Sequence, residues 1–249
     1  MRRYLREKSM NSVNERLAGS DWKNIAGELD ERGYALTEPL LTGRECEGLI
    51  DLYADKKVFR SRVVMARHNF GRGEYQYFAD PLPRLVFELR ELFYPRLAEI
   101  ANRWAERMKQ EDRFPSTRAE FLMTCQRKKQ TLPTPLILRY EADDYNCLHQ
   151  DLYGEIAFPL QAACVLSSHG LDYTGGEFLL TEQRPRMQTR GEAVTIERGQ
   201  FIIFPNRWRP VAGSKGDYRV NVRHGVSRFE NRIALFARVD LPQRQVTAY

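Results

Sequence analysis

From Pro135 onward the chain is a succession of short β-type runs, and no other feature narrows its possible folds as far. PLILRYE, CLHQDL, FPLQAACVLS, GGEFLLTEQ, EAVTIE, QFIIFPN, RVNVRHGV and RIALFARVD are rich in branched and aromatic residues. Gly170, Gly175, Gly176, Gly191, Gly199 and Gly213 punctuate them. Eight short strands within about a hundred residues can bury their apolar faces only as a sandwich or a barrel, and a jelly roll is one standard closure.

The preceding residues carry helix signals instead. Asp21 can cap a helix running to Glu31 and ended by Gly33, and Thr42 with Glu45 forms a capping box before LIDLYAD. Pro83 to Met108 has helical periodicity, with an interruption expected at Pro95. Thr117 with Glu120 offers a further box before FLMTCQRKK. Val58 to Phe78 reads as extended or loop-like and ends in HNFGRGEYQYF. The expected fold is mostly β with helical support (α+β): a double-stranded β-helix (jelly-roll, cupin-like) core over 135–240, with N-terminal helices packed on one face. Residues 1–134 would supply that support and a substrate lid. No linker, repeat or low-complexity segment divides residues 1–249, so a single domain is expected.

Composition excludes several classes. Hydrophobic residues at 42% and charged residues at 29% are too apolar a mixture for a disordered chain. No apolar run reaches membrane-spanning length, and the basic start MRRYLREKSMNS lacks the apolar stretch of a secretion signal. Cys46, Cys125, Cys147 and Cys164 are scattered, without C-x-x-C spacing, which suits reduced thiols in the cytoplasm. Nothing in the sequence calls for an obligate protein partner. The net charge of +6 is concentrated: Arg184 to Arg228 holds ten basic residues against three acids, leaving 29 basic and 30 acidic residues elsewhere. Such a stretch is either a solvated arginine-rich face or a contact for a polyanion.

His149-Gln150-Asp151 falls in one of the β-type runs, where side chains two apart share a face, so an imidazole and a carboxylate converge. Those are two ligands of a facial triad, the donor set that leaves open positions on iron(II) for oxygen. The spacing alone arises by chance in about one such chain in five, so the third ligand matters. His169 follows too soon and beside a turn, and His68 precedes the barrel. His224, in a distant run, is the better candidate. Arg232 and Arg238 follow it on one strand face with Ala234 and Phe236, while Ile233, Leu235, Ala237 and Val239 face the other way. An isolated pair would more often simply end a strand at solvent, but beside a candidate metal triad two guanidinium forks flanking an apolar floor suit a dicarboxylate.

These residues resemble the 2-oxoglutarate/iron(II) dioxygenases, and within them the AlkB-like branch that oxidises alkylated nucleic-acid bases. The resemblance runs from about Pro135 to Asp240. It rests on Arg139-Tyr140 followed after eight residues by His149-Gln150-Asp151, on His224-Gly225, and on the Arg232 and Arg238 pair. It implies that His149, Asp151 and His224 are catalytic and bind Fe(II), and that Arg232 holds the far carboxylate of 2-oxoglutarate. Arg238 would lie near the metal-bound carboxylate and Asp151, Tyr140 would hydrogen-bond the cosubstrate, and O2 would be the oxidant. Leu138 departs from the pattern, standing where that branch has a polar residue.

The chain is similar to a bacterial branch predicted to act on nucleic acids. The expected substrate is therefore a damaged or modified base in DNA or RNA, demethylated or hydroxylated in repair or modification. His68, Phe70, Arg72, Tyr75 and Tyr77 would hold a base drawn out of its stack, or else simply pack a loop. The alternatives are the same chemistry on a protein side chain or small metabolite, and a non-catalytic jelly-roll binding module.

Overall fold

A computed structural model describes residues 12–239 of the chain, apart from Tyr153 and Arg232. Among the described residues five α-helices occupy the first half: α1 (Val13–Ala18), α2 (Trp22–Glu31), α3 (Gly43–Leu52), α4 (Arg84–Arg107) and α5 (Arg118–Arg127). Their starts follow the expected chemistry. The Asp21 carboxylate accepts the Asn24 N–H at 3.0 Å, and Thr42 and Glu45 form the reciprocal box that opens α3. At α5 the Thr117 hydroxyl accepts from the Glu120 N–H but donates to the Glu120 carboxylate, so the box is only half made.

Helix α4 corrects one expectation, because it runs unbroken through Pro95. A proline inside a helix costs about 3 kcal/mol. The face that packs on the β-core buries Leu89, Phe93, Tyr94, Leu97 and Trp104 almost completely. At roughly 2 kcal/mol for each large apolar side chain buried, tertiary packing outweighs the local penalty.

The strands are β1 (Ala35–Leu36), β2 (Phe59–Val64), β3 (Gly71–Arg72), β4 (Glu74–Phe78), β5 (Leu136–Tyr140), β6 (Tyr145–His149), β7 (Leu160–Val165), β8 (Thr174–Gly175), β9 (Phe178–Gln183), β10 (Arg190–Val194), β11 (Phe201–Pro205), β12 (Trp208–Val211), β13 (Tyr218–Val226), β14 (Phe229–Asn231) and β15 (Ala234–Arg238). A seven-stranded sheet has the order β1-β11-β7-β15-β5-β4-β2, and a second has the order β10-β9-β13-β6-β3, with β12 also on β13. All these pairs are antiparallel. This is the jelly-roll arrangement expected from the sequence. The stretch Val58 to Phe78, expected to be extended or loop-like, is largely extended: it supplies β2 and β4 to the large sheet, with β4 against β5, and β3 to the small one.

The central strands of the large sheet are buried on both faces. Ile137, Cys164, Phe201, Ile203 and Leu235 pack against the helices. Tyr140, Val165, Ile202, Ala234 and Phe236 face the small sheet, where Phe178, Leu180, Val220, Val222 and Val226 meet them. This explains why β7 reads as a continuous apolar run, buried at every position. The expected alternation along β15 is present, with Ala234 and Phe236 inward and Leu235, Ala237 and Val239 toward the helices.

Candidate functional site

His149 is the last residue of β6, and His224 lies directly opposite it on β13, their rings 4.3 Å apart between centroids. Gly225 permits this close pairing, since a Cβ there would sit 2.6 Å from the Asn146 carbonyl oxygen. One expectation is corrected here. β6 ends at His149, so His149 and Asp151 do not converge through strand alternation.

The chain leaves the ladder instead, and side chains take over its hydrogen bonding. Gln150 Nε2 donates to the Val222 carbonyl at 2.6 Å and to Asn221 Oδ1 at 3.1 Å. Asn206 brackets Asp151, accepting its N–H at 2.9 Å and donating to its carbonyl. Asp151 is thereby turned inward and buried, whereas the His149 side chain remains 30% exposed.

The Asp151 Oδ2 atom lies 3.3 Å from His224 Nε2 and 3.7 Å from His149 Nε2. It also accepts from Arg238 Nη1 and, at 3.1 Å, from Gln161 Nε2. Burial by itself would raise the Asp151 pKa, but Arg238 and the two imidazoles hold it well below the ordinary carboxylate range. His224 is lowered to about 4, chiefly by burial and by His149, against the opposing pull of Asp151. An ionised carboxylate beside a neutral imidazole is the protonation state in which both can ligate a cation.

The three donor atoms lie within 4.8 Å of one another, and among the described residues this is the one cluster of three or more His, Cys, Asp or Glu groups able to hold a metal ion. Neither ring nitrogen of buried His224 makes a hydrogen bond, the approach to Asp151 being poorly directed. An unsatisfied buried imidazole costs free energy. A divalent cation taking one nitrogen would remove part of that cost, so the residues present fit a metal. His169 is elsewhere, edge-on to Tyr173.

Two recesses meet at this cluster. The inner one lies between the sheets and is walled by Leu138, Tyr140, Ala163, Phe178, Phe204 and Phe236, with His149, His224 and Arg238 at its end. Tyr140 is fully buried and stacked on Phe229, its hydroxyl 3.4 Å from Asn146 Nδ2. The outer one is walled by Phe70, Tyr75, Tyr77 and Leu148, with His149, Asp151 and Arg238 at its base. Of the residues expected to touch substrate, Phe70, Tyr75 and Tyr77 are therefore at the cluster. His68 stacks behind Phe70 at 5.3 Å, and Arg72 lies 3.9 Å from Asp144. Arg232 falls outside the described residues.

The arginine-rich stretch is partly consumed by the fold. Arg209 is fully buried in an ion pair with Glu182, while Arg190, Arg198 and Arg228 pair with Glu192, Glu47 and Asp143. Arg186, Lys215 and Arg223 are exposed. Sequence reasoning missed Gln161, Asn206 and the anchoring by Gln150. The signal at Gln161 was a lone polar residue within an apolar run, since a buried amide must find a partner.

Comparison with known proteins agrees with this geometry. The family model Oxygenase-NA, described as an oxygenase catalysing oxidative methylation of damaged DNA, matches residues 73–235. The Mycobacterium tuberculosis protein Rv2227 is 42% identical over 179 residues, 70% of this chain and 77% of that protein. Among solved structures, a Pseudomonas putida prolyl-4-hydroxylase aligns with a TM-score of 0.53 at 12% identity, over 90% of this chain and 99% of that one. A Burkholderia pseudomallei oxidoreductase of the 2OG-Fe(II) oxygenase family gives 0.51 at 13% identity, over 92% and 96%. At such identities the structural matches speak for the fold.

Proposed function

This chain belongs to the Oxygenase-NA family, and from that premise we propose that it is an iron(II)- and 2-oxoglutarate-dependent dioxygenase that oxidises damaged or modified bases in nucleic acid. The observation that carries the reading is the convergence of His149, Asp151 and His224, three donor atoms within 4.8 Å, two of them from buried residues. These three residues would hold iron(II) as a facial triad. With 2-oxoglutarate and O2 bound, iron supplies the oxidation of a substrate C–H bond, 2-oxoglutarate ending as succinate and carbon dioxide.

The chain's own residues do the placing. Arg238 and Gln161 hold Asp151 from behind, and Asn206 fixes its backbone. The inner recess takes 2-oxoglutarate: Tyr140 and the phenylalanines line an apolar slot, and Arg238 offers a cation at its end. Arg232, outside the described residues, is the one that the resemblance to 2-oxoglutarate/iron(II) dioxygenases implies for the far carboxylate. The outer recess takes the base. Phe70 is 38% exposed and Tyr75 and Tyr77 meet edge to face at 5.5 Å, so aromatic surface borders the reacting end of the cluster. Among the described residues no helix is long and apolar enough to cross a membrane.

The test is incubation with iron(II), 2-oxoglutarate and a panel of single- and double-stranded oligonucleotides carrying alkylated bases. Succinate release that depends on the oligonucleotide, with oxidised or restored bases by mass spectrometry, is the expected result. Iron-dependent turnover that responds to no member of the panel, yet is stimulated by a peptide or metabolite, would overturn the substrate class and keep the chemistry.

A further inference from the structure

A third recess lies on the far side of the segment that carries Asp151. Leu152, the next residue, forms part of its wall, together with Met108, Phe114, Arg207 and Trp208. The Arg207 guanidinium lies over the Trp208 indole at 4.9 Å from the ring centroid, and among the described residues its buried Nε finds no hydrogen-bond partner and its charge pairs with no carboxylate. That contrasts with Arg209, two residues on, whose charge is used internally by Glu182. Arg207 is also tied to the metal-site cluster through the chain. Asn206 brackets Asp151, and the Arg207 carbonyl accepts the Val222 N–H two residues before His224.

An arginine fixed on an indole face keeps its outward edge for a bidentate anion at little further entropic cost. The apolar wall beside it suits the face of a base, and Asp112, which also lines the recess, offers an acceptor for an exocyclic amino group. A cation, an apolar slot and a hydrogen-bond acceptor in one recess match a nucleotide better than a lone phosphate or a hydrophobic ligand. Resting on the nucleic-acid reading above, we infer that this recess is a subsite for a nucleotide flanking the one oxidised, with its phosphate on Arg207. The strand would then pass over Gln150 to Leu152, with the target base in the outer recess and its neighbour beyond the ridge.

The experiment is fluorescence-anisotropy titration of the Mn(II)- and 2-oxoglutarate-loaded protein with a labelled single-stranded oligonucleotide bearing one alkylated base, across a salt series. Arg207→Ala is expected to weaken binding by about tenfold and to reduce the magnitude of the salt slope by about 1. Arg207→Lys should restore the slope but only part of the affinity, and Trp208→Leu should weaken binding less than Arg207→Ala. Lys23→Ala, an equal charge loss at an exposed position of α2 outside the arginine-rich stretch, should leave affinity unchanged. Melting temperature and manganese content identify any variant that merely misfolds; Arg207→Lys then carries the test. If Arg207→Ala keeps wild-type affinity and slope while wild-type protein binds and oxidises the oligonucleotide, the subsite is wrong and the proposed function stands. If wild-type protein neither binds nor oxidises any oligonucleotide, both fall together.

Discussion

His224 sits inside a ladder, paired with Leu180 on one flank and His149 on the other, with Phe178 and Phe204 against its ring. Asp151 has left the ladder and is held by Asn206, Gln161 and Arg238. One ligand is thus placed by backbone pairing and apolar packing, the other by a small set of buried polar side chains. The difference lies in how each tolerates change. A ladder position is sustained by many bonds and fails only with the sheet, whereas a polar clamp has few members and each one counts.

The largest effect should come from Asp151→Ala. It removes a metal ligand and leaves Arg238 without its buried anion, a loss of about 3 to 5 kcal/mol for a broken buried pair. Anaerobic iron titration and denaturant unfolding should show no stoichiometric iron and that loss of stability. Full iron content in this variant would refute the assigned ligand set.

Next is the acid response of the metal-free protein. His224 is lowered to about 4 in the fold against about 6.5 when unfolded, so the unfolded chain takes up a proton that the native state refuses. Stability should therefore fall as pH drops from about 6.5 to about 4, by about 3 kcal/mol from this group. Asp151, lowered in the fold, adds a further loss only below the ordinary carboxylate range. Urea midpoints across pH should show the first slope in wild type and not in His224→Asn. If His149→Asn abolishes it instead, the buried-ladder side of the comparison has been assigned to the wrong histidine.

Gln161→Leu sharpens the polar side. It removes one donor from Asp151 and one from Asn206, and metal affinity should fall about 10- to 100-fold, as for other partners behind a ligand. Stability should change by only about 1 kcal/mol, because the leucine fills the space. Calorimetry with Mn(II) checks the affinity, and an unchanged value would mean that Arg238 and Asn206 suffice. Smallest, and confined to the helical layer, is Thr117→Ala at the start of α5. It should cost about 1 kcal/mol and leave metal binding as it is.

The same division governs what could be read in advance. Strand runs, caps and the distant histidine are local patterns, and His149, Asp151 and His224 come together from residue type and order. Partners of Asp151 are not local: Gln161 is ten residues away and Asn206 fifty-five. Their role appears only when β7 and the end of β11 are brought beside the segment after β6. Val58 to Phe78 could be read only as extended or loop-like for a related reason. Gln76 is buried in β4 and is satisfied by the Tyr53 carbonyl at 3.0 Å, which blurs the alternation a strand should show. At Pro95 the local rule was sound and tertiary burial overrode it.

Arg238 borders both recesses and also carries the ion pair to Asp151. On the proposed reading, occupants of the two chambers would act on one shared guanidinium. Whatever draws that group toward the inner chamber alters the hold on the carboxylate as seen from the outer one, and thermodynamic reciprocity requires the converse by the same factor. Cosubstrate, metal and base would then not bind as three independent events: the order in which they arrive would be shaped by a single side chain with more than one anion to answer to.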